Sequence, residues 1–144
     1  MTRTSEETDD LRPWFITRAP EGQVVRYRPD LLTAQAPEQL PFTLRLIWRY
    51  EPEADGAPSA ATAGAMDLFA GRLDSSAAET GVGVLAADVR GDAVREWVWL
   101  APSAAGLGGL VNALAHEFEE IVVDVEPAHD PEWAYFRGLI PTQA

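Results

Sequence analysis

The sequence has no cysteine and no lysine, only two histidines, and no long apolar run. Each absence closes off a class of chemistry. Without cysteine there is no disulfide, no thiolate metal ligand and no thiol nucleophile. A helical membrane span needs about 20 consecutive apolar residues, and no stretch approaches that. The first ten residues are polar and acidic, so they do not read as a signal peptide. The expected setting is therefore a bacterial cytoplasm, with no membrane partner. All 11 basic residues are arginine. Alongside the abundant alanine this reads as compositional bias rather than as arginine-specific chemistry.

What is present describes an ordinary globular domain. The chain has 144 residues, 47% hydrophobic and 24% charged, which suits one folded domain. The reading is a loose polar tail over residues 1–12 and one domain over residues 13–142. The net charge of −12 would repel a phosphate backbone, so nucleic acid is not an expected partner. A protein with a basic surface is permitted. The charge is uneven: between Glu117 and Glu132 there are seven acids and no arginine.

Along the chain, residues 14–18 and 23–28 are β-prone runs around a Pro/Gly turn, a hairpin signal. Residues 29–41 read as a connection punctuated by prolines. Residues 42–50 alternate with period two: Phe42, Leu44, Leu46, Trp48 and Tyr50 on one face, with Thr43, Arg45, Ile47 and Arg49 on the other. A helix is predicted over residues 60–78. Met66, Phe69 and Leu73 form its stripe, Ser59 or Thr62 caps its start, and Gly81 lies just past its end. Residues 82–89 and 93–100 flank Arg90-Gly91-Asp92 as a second hairpin. The second arm is partly apolar on both faces, which predicts a central strand covered on each side. A helix follows over residues 103–119, with Leu107, Leu110, Val111, Leu114 and Phe118 on one face; Gly106, Gly108 and Gly109 weaken its first turn. The last strand is predicted over residues 121–126. Asp130-Pro131-Glu132 then reads as the start of a short helix.

From residue 42 to 126 the order is β-α-β-β-α-β. The predicted fold class is α+β, a ferredoxin-like sandwich with an antiparallel sheet and helices on one face, plus the N-terminal hairpin and a short C-terminal helix.

Catalytic patterns are thin. His116 and Glu120 lie one helical turn apart, but the zincin pattern would need histidine at 120. His129-Asp130 resembles a base with an orienting acid, yet Asp130 is better explained as a helix cap. No Gly-x-Ser-x-Gly is present. Gly106-Leu107-Gly108-Gly109 lacks the lysine of a phosphate loop. No pattern calls for a cofactor or a metal.

Two surfaces remain as candidates. Glu117, Glu119, Glu120, Asp124 and Glu126 form a possible acidic partner surface. Arg45, Arg49, Arg95, Trp97 and Trp99 form a possible ligand platform on the sheet face, since aromatics beside arginine can stack on planar ligands. A homodimer is also open.

Trp14, Asp55-Gly56-Ala57-Pro58, the Val94-Arg95-Glu96-Trp97-Val98-Trp99 strand, Asp130-Pro131-Glu132-Trp133-Ala134-Tyr135-Phe136 and Pro141 together resemble the bacterial family called domain of unknown function 695. The resemblance spans residues 14–141, and its most specific part is the Asp-Pro-Glu-Trp segment. That family is similar in layout to the inhibitor called regulator of ribonuclease E activity B. The resemblance implies a regulator acting by protein contact, and it supplies no catalytic residues. The leading expectation is a non-catalytic protein-binding or regulatory domain. The rival is a small-molecule binder or enzyme with a Trp/Arg-lined pocket.

Overall fold

The computed structural model describes residues 14–18, 22–34, 36–118 and 122–141. The expected tail lies outside the described residues, as do Glu119, Glu120 and Ile121. The strands are β1 (Phe15–Arg18), β2 (Val24–Tyr27), β3 (Phe42–Arg49), β4 (Val84–Gly91), β5 (Val94–Ala101) and β6 (Asp124–His129). The helices are α1 (Leu31–Ala34), α2 (Ala60–Thr80), α3 (Ala104–Glu117) and α4 (Ala134–Leu139), with a single 3-10 turn at Pro37–Gln39. The fold is α+β. Its six strands form one antiparallel sheet in the order β1-β2-β4-β5-β3-β6. The N-terminal hairpin joins this sheet within the chain, because β2 pairs with β4.

Alternation along the strands decides which side chains meet which cover. Leu44, Leu46 and Trp48 of β3 face the same side as Trp97 and Trp99 of β5, and α2 and α3 close over them. Helix α2 contributes Met66, Phe69, Leu73 and Ala77, and α3 contributes Leu107, Val111 and Leu114. Trp48 and Phe69 meet edge to face with centroids 6.1 Å apart, a favoured aromatic geometry. The opposite face carries Val25, Tyr27, Val89, Val98 and Leu100, covered by Leu31, Leu40, Trp133 and Phe136. The expectation that β5 is covered on both sides therefore holds. Helices lie on both faces rather than one: the two long ones on the first, the short α1 and α4 on the second.

Local chemistry sets the boundaries. Ser59 caps α2 by accepting from the Thr62 amide at 3.1 Å, and Gly81 ends it in the left-handed region at φ 73. Ser103 caps α3 through the Gly106 amide, and Gly106, Gly108 and Gly109 all lie inside the helix. Phe118 falls just beyond the helix and packs on Phe69. The β4–β5 loop is Asp92-Ala93, both with φ 60, not Arg90-Gly91-Asp92. Two residues in that conformation are what a tight hairpin of right-handed twist demands.

Strand β6 begins three residues later than expected and runs through Pro127, which an edge strand tolerates because one side of its backbone has no partner. Helix α4 also begins late. Residues 130–133 make a turn first, and Trp133 takes a left-handed conformation at φ 58. The side chain of Asp130 nonetheless caps the helix, accepting from the Ala134 and Tyr135 amides at 2.8 and 3.1 Å. Trp133 is fully buried, and its indole N–H donates to the Leu40 carbonyl at 2.8 Å.

Ala93 holds a conformation that costs an L side chain about 1 kcal/mol, so Ala93→Gly should raise unfolding stability by roughly 0.5–1 kcal/mol. Gly91→Ala should do the reverse, because a Cβ there would stand 3.0 Å from Gln23 Cγ at φ 141. Urea unfolding with an unchanged m-value checks both.

Candidate functional site

Strand β5 places two consecutive charges on opposite faces of the sheet. Arg95 points under α2 and Glu96 points toward α4, and both are buried. A buried charge must find its counter-charge on its own face.

Arg95 donates from Nε and Nη2 to Asp88 of β4, at 3.2 and 2.9 Å, and from Nη1 to Asp67 of α2 at 3.0 Å. Its guanidinium lies 4.8 Å from the centroid of the Trp97 ring. Asp88 Oδ2 also faces Arg90 Nη2 at 3.3 Å and Arg26 Nη1 at 3.5 Å. Burial alone would push the Asp88 carboxyl up, but the hydrogen bonds and charges of Arg95 and Arg90 outweigh it and hold the group below its ordinary value. Burial likewise works against the charge on Arg95, and Asp88 and Asp67 reverse the effect and raise it.

On the other face, Arg45 of β3 grips Glu96 with Nε at 2.9 Å and Nη2 at 3.2 Å. Its Nη1 reaches Glu126 of β6 at 3.1 Å, and its guanidinium sits 4.7 Å over the Tyr135 ring. The Tyr135 hydroxyl donates to Glu96 at 2.7 Å. Burial together with that bond pushes the Tyr135 hydroxyl up to about 12. The bond to Glu96 raises Arg45 above its usual value, despite an opposing effect of burial.

Two concavities are present among the described residues, the first of them at the Arg95 cluster. One is a cavity of about 90 Å³ beside Arg95, walled by Tyr50, Met66 and Val94 and bearing Arg90 and Asp67. The other is an open groove of about 530 Å³ between Pro37, Glu38, Pro131, Glu132, Ala134 and Arg137.

The two surfaces expected from the sequence fare differently. The Trp/Arg platform does not assemble. Trp97 and Trp99 are 2% and 1% exposed, sealed under α2 and α3 with Arg95, while Arg45 and Arg49 lie on the opposite face. Period-two alternation separates them, so no single ligand can touch all five. Of the acids, Glu117 stands on α3 and pairs with Arg72 at 2.7 Å. Asp124 and Glu126 stand on the other side of the sheet, paired with Arg49 and Arg45. The three described acids therefore do not form one continuous patch, and each already holds an arginine. His116 is exposed at the end of α3, and His129 stacks against Phe42 at 5.2 Å. Among the described residues no group of three potential ligands is placed to hold a metal ion.

The chain matches no family model, no curated protein and no solved structure. Asp67, Asp88, Glu96 and Tyr135 complete the clusters and were not singled out from the sequence. Two of them did carry a signal, since Asp88 and Glu96 are carboxylates inside largely apolar strands.

Removing one partner of a buried pair strands the other, so Asp88→Asn should cost about 3 kcal/mol. The folded Asp88 carboxyl titrates below its unfolded value of about 4. Its contribution is thus intact above that pH and lost as pH falls through the folded pKa, and the variant should lose this acid slope. Tyr135 is raised, so its contribution is intact below about 10 and lost as pH climbs from there to about 12. Tyr135→Phe should flatten the alkaline limb at a cost near 1 kcal/mol at neutral pH. Denaturant melts across pH measure both.

Proposed function

We propose that this chain is a non-catalytic binding domain that regulates another protein by direct contact, and that the partner surface is basic. One observation carries the reading. The interior charges, Arg95 with Asp88 and Arg45 with Glu96, are closed on each other, and the cavity beside them, about 90 Å³, is well below the roughly 300–1,000 Å³ of ordinary substrate pockets. Among the described residues, recognition of a macromolecular partner therefore falls to the outer surface.

That surface is strongly negative. Arginines 26, 28, 45, 49, 72, 90 and 95 are each engaged with a carboxylate of the chain itself, so the surplus of acids is expressed outward. Such a field speeds encounter with a basic partner and discourages anionic polymers. Glu38 and Glu132 flank the open groove, with Arg137 also in its lining, and offer acids to a basic partner. The cysteine-free composition suits a cytoplasmic setting.

The fold-level part of the proposal is that the core is ferredoxin-like. The strand order β4-β5-β3-β6, with α2 and α3 on one face, supports this. The resemblance to domain of unknown function 695 is part of the same reading. The segment that carries it, Asp130 to Trp133, serves here as cap, turn and core anchor.

The test is capture from nuclease-treated bacterial lysate, followed by binding of the purified captured protein to the full chain. The expected result is a stoichiometric partner whose affinity falls several-fold as salt rises. A double variant, Glu38→Arg with Glu132→Arg, should weaken it further and reduce the salt dependence. A partner insensitive to both changes, or no stoichiometric partner at low salt, overturns the reading.

A further inference from the structure

The Arg95 cluster is unbalanced in both charge and hydrogen bonding. Three arginines, Arg26, Arg90 and Arg95, share two carboxylates, Asp88 and Asp67. The strain concentrates on one atom. Asp88 Oδ2 is asked to accept from all three guanidinium groups, at 2.9, 3.3 and 3.5 Å, while a carboxylate oxygen offers about two lone pairs. Arg95 takes the short bond, and Arg90 and Arg26 are left with long ones. Arg90 therefore retains donor capacity, and it borders the cavity.

The second carboxylate is poorly settled. The Asp67 side chain is 72% exposed, yet it reaches in to bond Arg95 Nη1. It stands at the cavity as the chain's own carboxylate, occupying one donor of a buried guanidinium. Around it the walls are apolar: Tyr50, Pro58, Ala63, Met66 and Val94. Pro58 precedes the N-cap and Ala63 lies in the first turn of α2, a 21-residue helix whose positive end favours an anion.

We propose that this cavity binds a small monocarboxylate with a short aliphatic tail. The carboxylate takes the free donors of Arg90 and the Nη1 group of Arg95, displacing Asp67 outward. The tail lies against Met66, Val94 and Tyr50. A space of about 90 Å³ holds a few heavy atoms and excludes larger acids. Asp67 then acts as an intramolecular competitor that sets the affinity. Exposed acids on the adjoining loop, Glu51, Glu53 and Asp55, oppose the approach of an anion, so the expected dissociation constant is in the millimolar range, about 4 kcal/mol of binding by the usual conversion. This proposal does not depend on the protein-contact reading.

The experiment is an amide chemical-shift titration of the full chain with sodium butyrate, against sodium chloride at matched ionic strength. Saturable shifts at Met66, Val94 and Arg95 are expected with butyrate and not with chloride. Arg90→Gln should weaken binding at least about tenfold. Asp67→Asn should tighten it several-fold, because the competing charge is gone. Both changes are at exposed side-chain heads, and the spectra themselves verify the fold. Linear shifts, shifts equal to those of chloride, or affinity unchanged by Asp67→Asn would sink the proposal. So would saturation by inorganic phosphate without saturation by butyrate.

Discussion

Two adjacent residues of opposite charge, Arg95 and Glu96, sit on the central strand β5 and point to opposite sides of the sheet. Neither can be solvated there, so each fixes a partner on its own side. Arg95 ties β4 and α2 together through Asp88 and Asp67. Glu96 ties β3, β6 and α4 together through Arg45, Glu126 and Tyr135. Buried pairs of this kind add little net stability over apolar packing. Their effect is selective: a one-residue slip of β5 would send each charge into the opposite, wrongly charged cluster. The register of the sheet and the seating of covers on both faces follow from this one constraint.

The parts of the fold governed by local chemistry were legible in the sequence. The alternation of β3, the stripe and glycine stop of α2, the central place of β5 and the capping role of Asp130 all follow from period and side-chain type, and the structure shows each of them. What was not legible depends on what lies opposite. An alternating strand with Trp97 and Trp99 on one face looks the same whether that face is open or roofed by helices, and the roof makes them core. The grouping of Arg45 with Arg95 failed for the same reason, because only the register shows that they never share a side. Strand β6 was placed early on the alternation of residues 121–126, whereas its pairing with β3 carries it through Pro127 to His129, which an edge position tolerates.

Strain is placed where burial or pairing can hold it. Ala93 and Trp133 both carry positive φ without being glycine. At Ala93 the flanking strands β4 and β5 enforce the turn. At Trp133 the indole is sealed between Leu40 and Phe136, with its N–H satisfied, which outweighs a backbone cost of about 1–2 kcal/mol. The Trp133 turn directs α4 back over the sheet, and so delivers Tyr135 to Glu96. A local distortion thereby serves the charge constraint on β5.

The two borders of the sheet are chemically unlike. Strand β6 ends it with Asp124, Glu126 and Pro127, a border that repels a like strand and lacks one donor. Among the described residues, strand β1 ends the other side with Phe15 and Ile16, 48% and 67% exposed. The two borders therefore differ in how they would receive a further strand. A second copy joining at β1 would meet it about a two-fold axis and present its own β6 outward, so that the combined sheet would be capped at both ends. A pairing of that geometry would close at two copies instead of opening a route to fibres.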